Sequence, residues 1–217
     1  MLKVRFEDKK GSHYQILCLG AHSDDIEIGC GGTIIKLLQA FQNLSFYWVV
    51  FSSNGERRKE AIDSANFLIK AAKSKTIEIF QFKENYFPYS GYEIKETIDK
   101  FKTIISPDVI FTHYRNDSHQ DHRLISELTW NAFRDHFILE YEIPKYDGDF
   151  GIPNFFVHLN ETLCVKKINH LFNNFKTQTQ RHWFTQDLFM AILRLRGIES
   201  NAPEKLAEAF YCRKMIF

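Results

Sequence analysis

The chain has 217 residues, of which 44% are hydrophobic and 25% are charged, and its formal net charge is +1. These values are typical of a globular protein with a substantial core and exclude an intrinsically disordered chain. The near balance of 28 basic and 27 acidic residues gives no indication of a nucleic-acid or membrane-surface protein, so neither partner is expected.

The N-terminal segment and the cysteines indicate the compartment. Residues Met1–Asp8 are charged throughout and lack the apolar stretch of a signal peptide. No window approaches the ~20 apolar residues that span a bilayer. The four cysteines are isolated in the sequence, which is typical of reduced thiols. We therefore expect a cytoplasmic protein.

The first half of the chain alternates between short apolar runs and helical patterns. In chain order, these patterns predict a strand at 14–20, a helix from 33, a strand at 46–52, a helix at 56–72, a strand at 76–80, a helix at 94–105, a strand at 108–113 and a helix at 122–136. Such alternation favours a Rossmann-like three-layer α/β/α sandwich with a mostly parallel sheet.

The second half of the chain is less regular. Its patterns predict a surface loop at 141–153, a strand at 154–159, helices at 161–175 and 178–196, and an edge strand at 207–213. No linker or internal repeat interrupts the sequence. We therefore expect residues 1–217 to form a single domain.

Two polar segments follow predicted strands. The first runs from Gly20 to Thr33 and contains the run His-Ser-Asp-Asp at 22–25, and the second runs from His113 to His122. Because the carboxyl ends of parallel strands meet at one edge of a sheet, these two segments are expected to converge on one pocket.

The side chains of these segments indicate a metal centre. Two imidazoles and one carboxylate are typical ligands of a catalytic zinc ion, which keeps a further position open for water. His22, Asp25 and His122 supply such a set, and Asp24 beside them is positioned to take a proton from activated water. One zinc ion per chain is the expectation, although iron or cobalt also suit this donor set.

The two segments resemble the motifs of a known family. AHSDDIEIGCGGT at 21–33 and NDSHQDHR at 116–123 are similar to the A-H-P-D-D-x-x-x-G-x-G-G and H-x-D-H motifs of the PIG-L/LmbE-like zinc-dependent N-deacetylases. Weaker similarities extend the resemblance from about residue 14 to residue 213. Ser23 stands where the family usually has proline, which bears on the rigidity of the loop but removes no ligand.

The resemblance implies roles for individual polar residues. The metal ligands would be His22, Asp25 and His122, and the general base would be Asp24. His119, when protonated, would stabilise the oxyanion or assist the leaving amine. Asp117 and Asp121 would orient histidines. His113 and Glu27 are expected to support the site. Arg58, Arg115 and Arg196 are candidates to bind an anionic group of the substrate, and each of them also suits a purely structural role.

The family resemblance implies an enzyme that removes an N-acetyl group from an N-acetylated sugar or nucleotide sugar. Two alternatives stay open: hydrolysis of another amide or an ester at the same site, and a non-catalytic sugar-binding protein of the same fold. Retention of both Asp24 and His119 argues against the second, because binding needs neither a base nor an acid. The 21 phenylalanines are compatible with a homo-oligomer.

Overall fold

The computed structural model describes residue 3 and residues 13–216. The interpretation of Met1–Asp8 as something other than a signal peptide therefore falls, except for Lys3, outside the described residues. Within the described part of the chain, no helix combines the length and the apolar character needed to cross a membrane.

Seven strands among the described residues form one sheet. They are β1 (Tyr14–Gly20), β2 (Leu44–Val50), β3 (Ser74–Ile79), β4 (Val109–His113), β5 (Ile138–Tyr141), β6 (Phe155–His158) and β7 (Ala207–Cys212), in the spatial order β3-β2-β1-β4-β5-β7-β6. Strands β1 to β5 pair in parallel, and β7 runs antiparallel to both β5 and β6. The predicted mostly parallel sheet is confirmed.

Helices cover both faces of the sheet. They are α1 (Asp25–Ala40), α2 (Gly55–Leu68), α3 (Gly91–Ile104), α4 (Gln120–Ala132), α5 (Glu161–Asn174) and α6 (Gln186–Glu199), with short 3₁₀ turns at Phe87–Ser90 and Lys176–Gln178. Alternate residues of β1 enter different cores: Ile16 and Cys18 pack with α1, α2, α5 and α6, whereas Leu17 and Leu19 pack with α3 and α4. The predicted three-layer sandwich is confirmed.

The predicted start of α1 at Thr33 is wrong, because the helix begins at Asp25. The glycines that suggested a loop instead mark close packing inside the helix. A Cβ added at Gly29 would lie 2.2 Å from Cδ2 of Tyr141, and one at Gly32 would lie 2.6 Å from Cδ1 of Leu159. Because these two glycines have no side chain, β5 and the segment after β6 can approach the helix backbone closely.

Three further predictions in the second half need correction. Strand β5 (Ile138–Tyr141) was not predicted, since only residues 137–140 lie between the predicted helix at 122–136 and the predicted loop at 141–153. Strand β7 lies between β5 and β6 and is not an edge strand. Helix α6 begins at Gln186 and not at residue 178, because the Thr185 side chain accepts a hydrogen bond from the N–H of Leu188 at 3.2 Å and caps the helix there.

The strand order determines where the two polar segments meet. From β1 the chain proceeds to β2 and β3 on one side of the sheet and later to β4 and β5 on the other. The loops after β1 and β4 therefore leave adjacent strands toward opposite faces and open a crevice between them. This crevice is the place where both polar segments lie.

The glycine packing makes a prediction with a matched control. Gly29→Ala should lower the free energy of unfolding by about 1–3 kcal/mol, because Tyr141 is fully buried, donates to the Leu19 carbonyl at 2.6 Å and has no room to move aside. Gly31→Ala should be neutral or stabilising by up to about 1 kcal/mol, since its Cβ would lie 3.7 Å from the nearest atom, Cγ of Lys167. Urea denaturation measures both, and equal effects would contradict the packing argument.

Candidate metal centre

Two loops build the site. The loop between β1 and α1 carries His22 and Asp24 and leads into Asp25, the first residue of α1. The loop between β4 and α4 ends at His119, and His122 lies in the first turn of α4. All of these side chains except His119 are buried. The fold brings together residues that are far apart in the sequence, such as His22 and His122, which are 100 positions apart.

Three donor atoms converge in the crevice. His22 Nδ1 lies 3.1 Å from His122 Nε2, and Asp25 Oδ2 lies 3.4 Å from the first nitrogen and 3.6 Å from the second. Ligands at 2.0–2.1 Å from a tetrahedral zinc ion are separated from one another by about 3.3 Å. The three atoms therefore have the spacing of three corners of such a site.

The second nitrogen of each imidazole faces a carboxylate. His122 Nδ1 lies 2.9 Å from Asp117 Oδ2, and His22 Nε2 lies 3.2 Å from Asp121 Oδ2. A proton on each of these outer nitrogens leaves the inner nitrogen with a free lone pair. This arrangement of carboxylate, imidazole and metal recurs in zinc proteins, where the carboxylate sets the orientation of the ring.

The electrostatics of the cluster favour a positive charge. Burial opposes protonation of His22, yet the carboxylates of Asp25 and Asp121 raise its pKa to about 10. Burial also opposes ionisation of Asp25, yet the surrounding imidazoles hold its pKa well below the usual range. Burial and the neighbouring His113 lower the pKa of His122 to about 3, so this ring stays neutral and able to ligate.

The described side chains form two overlapping groups that could hold a metal ion. One contains His22, His119 and His122, and the other contains Asp25, His113 and His122. The Nε2 atom of His113 accepts a hydrogen bond from the backbone N–H of Ala21 at 2.9 Å. His113 therefore joins the end of β4 to the loop after β1, a supporting contact that sequence motifs did not specify.

Side chains from other elements hold both loops. The Ser23 hydroxyl donates to the Ser53 hydroxyl at 2.8 Å, so the residue that replaces the usual proline ties the first loop to the end of β2. In the second loop, Asp117 Oδ2 lies 3.0 Å from Lys145 Nζ. Asp121 accepts the backbone N–H of Phe87 at 3.1 Å. Each loop is thereby held in place by contacts with other segments of the chain.

Asp24 differs from Asp117 and Asp121 because one of its oxygens has no hydrogen-bond partner among the described residues, a feature that it shares with Glu27. Oδ2 is buried and has no hydrogen-bond partner among the described residues, and Oδ1 lies 3.5 Å from Nη2 of Arg57. Burial, followed by the charge of Asp25, raises the pKa of Asp24 to about 6. Arg57 Nη1 also lies 3.1 Å from the exposed Glu84, so this pair connects Asp24 to the surface, and we call it the mouth of the crevice.

Two of the three predicted substrate arginines, Arg58 and Arg196, are engaged by groups outside the metal centre, and the exposed Arg115 stays a candidate. Arg58 donates to the carbonyl of Ile79, and Arg115 has an exposed side chain. Arg196 is buried and donates to Glu142 at 2.7 and 3.0 Å. The arginine beside Asp24 is Arg57, one position before the predicted residue. The contact between Arg57 and Asp24 depends on how α2 packs beside the loop after β1, which the sequence pattern does not specify.

Comparison with known proteins decides the family. The sequence profile described as "PIG-L: GlcNAc-PI de-N-acetylase" matches residues 17–133, more than half of the chain. The chain belongs to the PIG-L family. The matched region of this PIG-L protein includes both loops of the site, from His22 to His122.

Relatives of this PIG-L protein include deacetylases. It is 29% identical over 162 residues to the "Uncharacterized deacetylase YaiS" of Escherichia coli (strain K12), covering 70% of this chain and 86% of that one. The structure of N,N'-diacetylchitobiose deacetylase from Pyrococcus horikoshii has a TM-score of 0.72 at 20% identity, covering 94% of this chain and 85% of that chain.

The PIG-L fold is also found with a different activity. GalB, the 4-carboxy-2-hydroxymuconate hydratase from Pseudomonas putida KT2440, has a TM-score of 0.70 at 16% identity, with coverage of 94% of this chain and 98% of that chain. At such identities the likeness concerns the fold alone. The reaction must be argued from the side chains of the site.

The carboxylate behind His122 makes a prediction about metal affinity. Asp117→Asn should weaken zinc binding by about 10- to 100-fold, because the neutral amide no longer holds the ring and its proton as a carboxylate does. Competition with a chromophoric chelator measures the dissociation constant. Asp187→Asn, at an exposed position in the first turn of α6, is the control and should bind as the wild type does. An unchanged affinity in Asp117→Asn would refute this role.

Proposed function

We propose that this protein is a metal-dependent hydrolase that removes the N-acetyl group from an N-acetylated sugar or nucleotide sugar. One observation carries the proposal: three converging donor atoms lie in the same crevice as a buried carboxylate oxygen that has no partner among the described residues. A purely structural metal site has no need of the second feature.

The donor set fits zinc. His22, Asp25 and His122 would hold the ion, with Asp121 and Asp117 behind the two rings. When bound, zinc supplies Lewis-acid chemistry, polarising an amide carbonyl and making water more acidic. Three protein ligands would leave a position for substrate and water.

Asp24 is the proposed general base. Its Oδ2 can accept the proton of the attacking water, because no group among the described residues occupies that oxygen. With a pKa of about 6, Asp24 is mostly ionised near neutral pH and close to the optimum for proton transfer. The same carboxyl group can then pass the proton to the departing amine.

His119 is the proposed donor to the oxygen of the tetrahedral intermediate. Its Nδ1 accepts the backbone N–H of Asp121 at 3.2 Å, so the proton of the neutral ring lies on Nε2. Burial and the charge of His22 lower the pKa of His119. His119 therefore suits a hydrogen-bond donor in its neutral form, whereas the sequence motif had led us to expect a protonated ring. Such a donor stabilises charge that develops in the transition state.

The substrate class rests on the family and on the mouth of the crevice. The matching profile names a de-N-acetylase of a GlcNAc conjugate, and the Pyrococcus neighbour is a deacetylase of a chitobiose derivative. Arg57 and Glu84 offer a donor and an acceptor beside Asp24, which suits the hydroxyl groups of a sugar ring. Acetate and a free amine would be the products.

Asp24→Asn tests the base. The variant should lose about 10²–10⁴-fold in kcat, because the amide cannot accept the proton of water, while it keeps one metal ion per chain. Acetate release from N-acetylglucosamine, N,N'-diacetylchitobiose and a UDP-linked N-acetyl sugar measures activity, and elemental analysis measures the metal. Full activity in the variant would refute the assignment.

His119→Ala tests the donor and separates two readings of the cluster. A donor role predicts a loss of about 10²–10³-fold in kcat with unchanged zinc content. A fall in zinc content would instead indicate that His119 is a ligand, since its ring nitrogen lies close to those of His22 and His122. The wild-type enzyme treated with chelator and reloaded with zinc provides the reference.

Product analysis separates the remaining alternatives. Turnover of esters or peptide amides without turnover of N-acetyl sugars would replace the sugar substrate and keep the chemistry. Sugar binding that is equally tight in Asp24→Asn, with no product from any acylated compound, would identify a binding protein. Either result would overturn the proposed N-deacetylase.

A further inference from the structure

Three tyrosines stand out on the surface beside the metal centre. Between β3 and the first turn of α3, Tyr86, Tyr89 and Tyr92 are 46%, 83% and 72% exposed. Single exposed apolar residues are ordinary on protein surfaces, but three exposed aromatic rings within seven positions form an unusual cluster. The hydroxyl of Tyr92 donates to Glu96 on its own helix at 2.9 Å, which leaves Tyr86 and Tyr89 as the pair of interest.

The backbone under this pair is fastened to the metal centre. The N–H of Asn85 donates to Asp121 Oδ2 at 2.6 Å, and the N–H of Phe87 donates to Asp121 Oδ1 at 3.1 Å. The side-chain amide of Gln120 donates to the Asn85 carbonyl. The tyrosines are therefore held in register with the first turn of α4, which carries His122.

Local conformation directs the two rings outward. Asn85 adopts a left-handed conformation with φ of 66°, which is costly for most residues and tolerated by asparagine. After this turn Phe87 points inward, is fully buried and lies 6.0 Å from the His22 ring. Tyr86 and Tyr89 lie on the outer side with their ring centroids 6.0 Å apart. Lys83 Nζ covers the Tyr86 ring at 3.7 Å, so Tyr89 has the more open face.

We propose that Tyr86 and Tyr89, together the tyrosine platform, bind a second sugar ring of the substrate, next to the ring that carries the N-acetyl group. This inference rests on the proposed function. A pyranose presents C–H groups on its faces and hydroxyls at its rim, which suits a rigid ring with a polar tip. The backbone under the platform bonds to Asp121, whose Oδ2 lies 3.2 Å from His22 Nε2, and these contacts place the platform segment beside the metal centre.

The residues around the platform favour a sugar over an apolar chain. Lys83, Glu84 and Asn85 are exposed next to it and can hydrogen-bond hydroxyl groups. A surface for an acyl chain would be expected to carry aliphatic residues in place of hydroxylated rings. The Glu84 carboxylate, paired with Arg57 at 3.1 Å, joins the platform to the mouth of the crevice.

The decisive comparison is between a disaccharide and a monosaccharide. In Tyr89→Ala, KM for N,N'-diacetylchitobiose should rise about tenfold at unchanged kcat, whereas KM for N-acetylglucosamine should not change. Tyr89→Phe should behave as the wild type does, because the ring remains. Phe67→Ala is the control, since this exposed ring lies in the last turn of α2, which packs on the other face of the sheet from α3 and α4.

A binding measurement keeps the test independent of catalysis. Calorimetric titration with the deacetylated disaccharide should give about tenfold weaker binding to Tyr89→Ala than to the wild type, and Tyr86→Ala should give a smaller loss, because Lys83 already covers the Tyr86 ring. Equal KM changes for both sugars, or none, would overturn the platform and leave the deacetylase standing. No acetate release by the wild type from either sugar or from a UDP-linked N-acetyl sugar would refute the proposed function, and the titration would still decide the platform. If Tyr89→Ala changed the sedimentation coefficient, the tyrosines would form an interface between copies of this chain, and the inference would be overturned.

Discussion

The convergence of three electron-rich atoms in a buried space is the constraint on which this site depends. His22 Nδ1, Asp25 Oδ2 and His122 Nε2 lie within 3.1–3.6 Å of one another, away from bulk water. Lone pairs at such distances repel unless a proton or a cation lies between them. Because Asp121 and Asp117 hold the far side of each ring, neither imidazole can turn away. The arrangement therefore suits either a proton held on the His22 ring or a bound cation.

Contacts between elements preserve this convergence. His113 at the end of β4 accepts the Ala21 N–H, and Ser23 bonds Ser53 after β2. Lys145, from the segment after β5, lies against Asp117. These links cross from one strand end to the next, so the donor atoms are positioned before any ligand arrives. Preorganisation of this kind lowers the cost of charge stabilisation during catalysis.

The fold and the reaction of this protein are separate questions. A hydratase shares the architecture at a TM-score of 0.70, so the sheet and its helices support more than one chemistry. The proposed amide hydrolysis rests on a buried Asp24 oxygen that has no hydrogen-bond partner among the described residues and on His119 beside His22 and His122. Substrate length is a further variable, set by exposed residues on the segment before α3.

The sequence by itself determined the layered α/β class and the residues of the two motifs, because strand periodicity and motif spacing are local properties. It did not determine that Gly29 lies inside a helix, that β7 separates β5 from β6, or that Arg57 rather than Arg58 faces Asp24. Each of these depends on a contact between distant segments, such as the Tyr141 ring against Gly29. Only tertiary packing decides such contacts, since local pattern does not specify which surfaces meet.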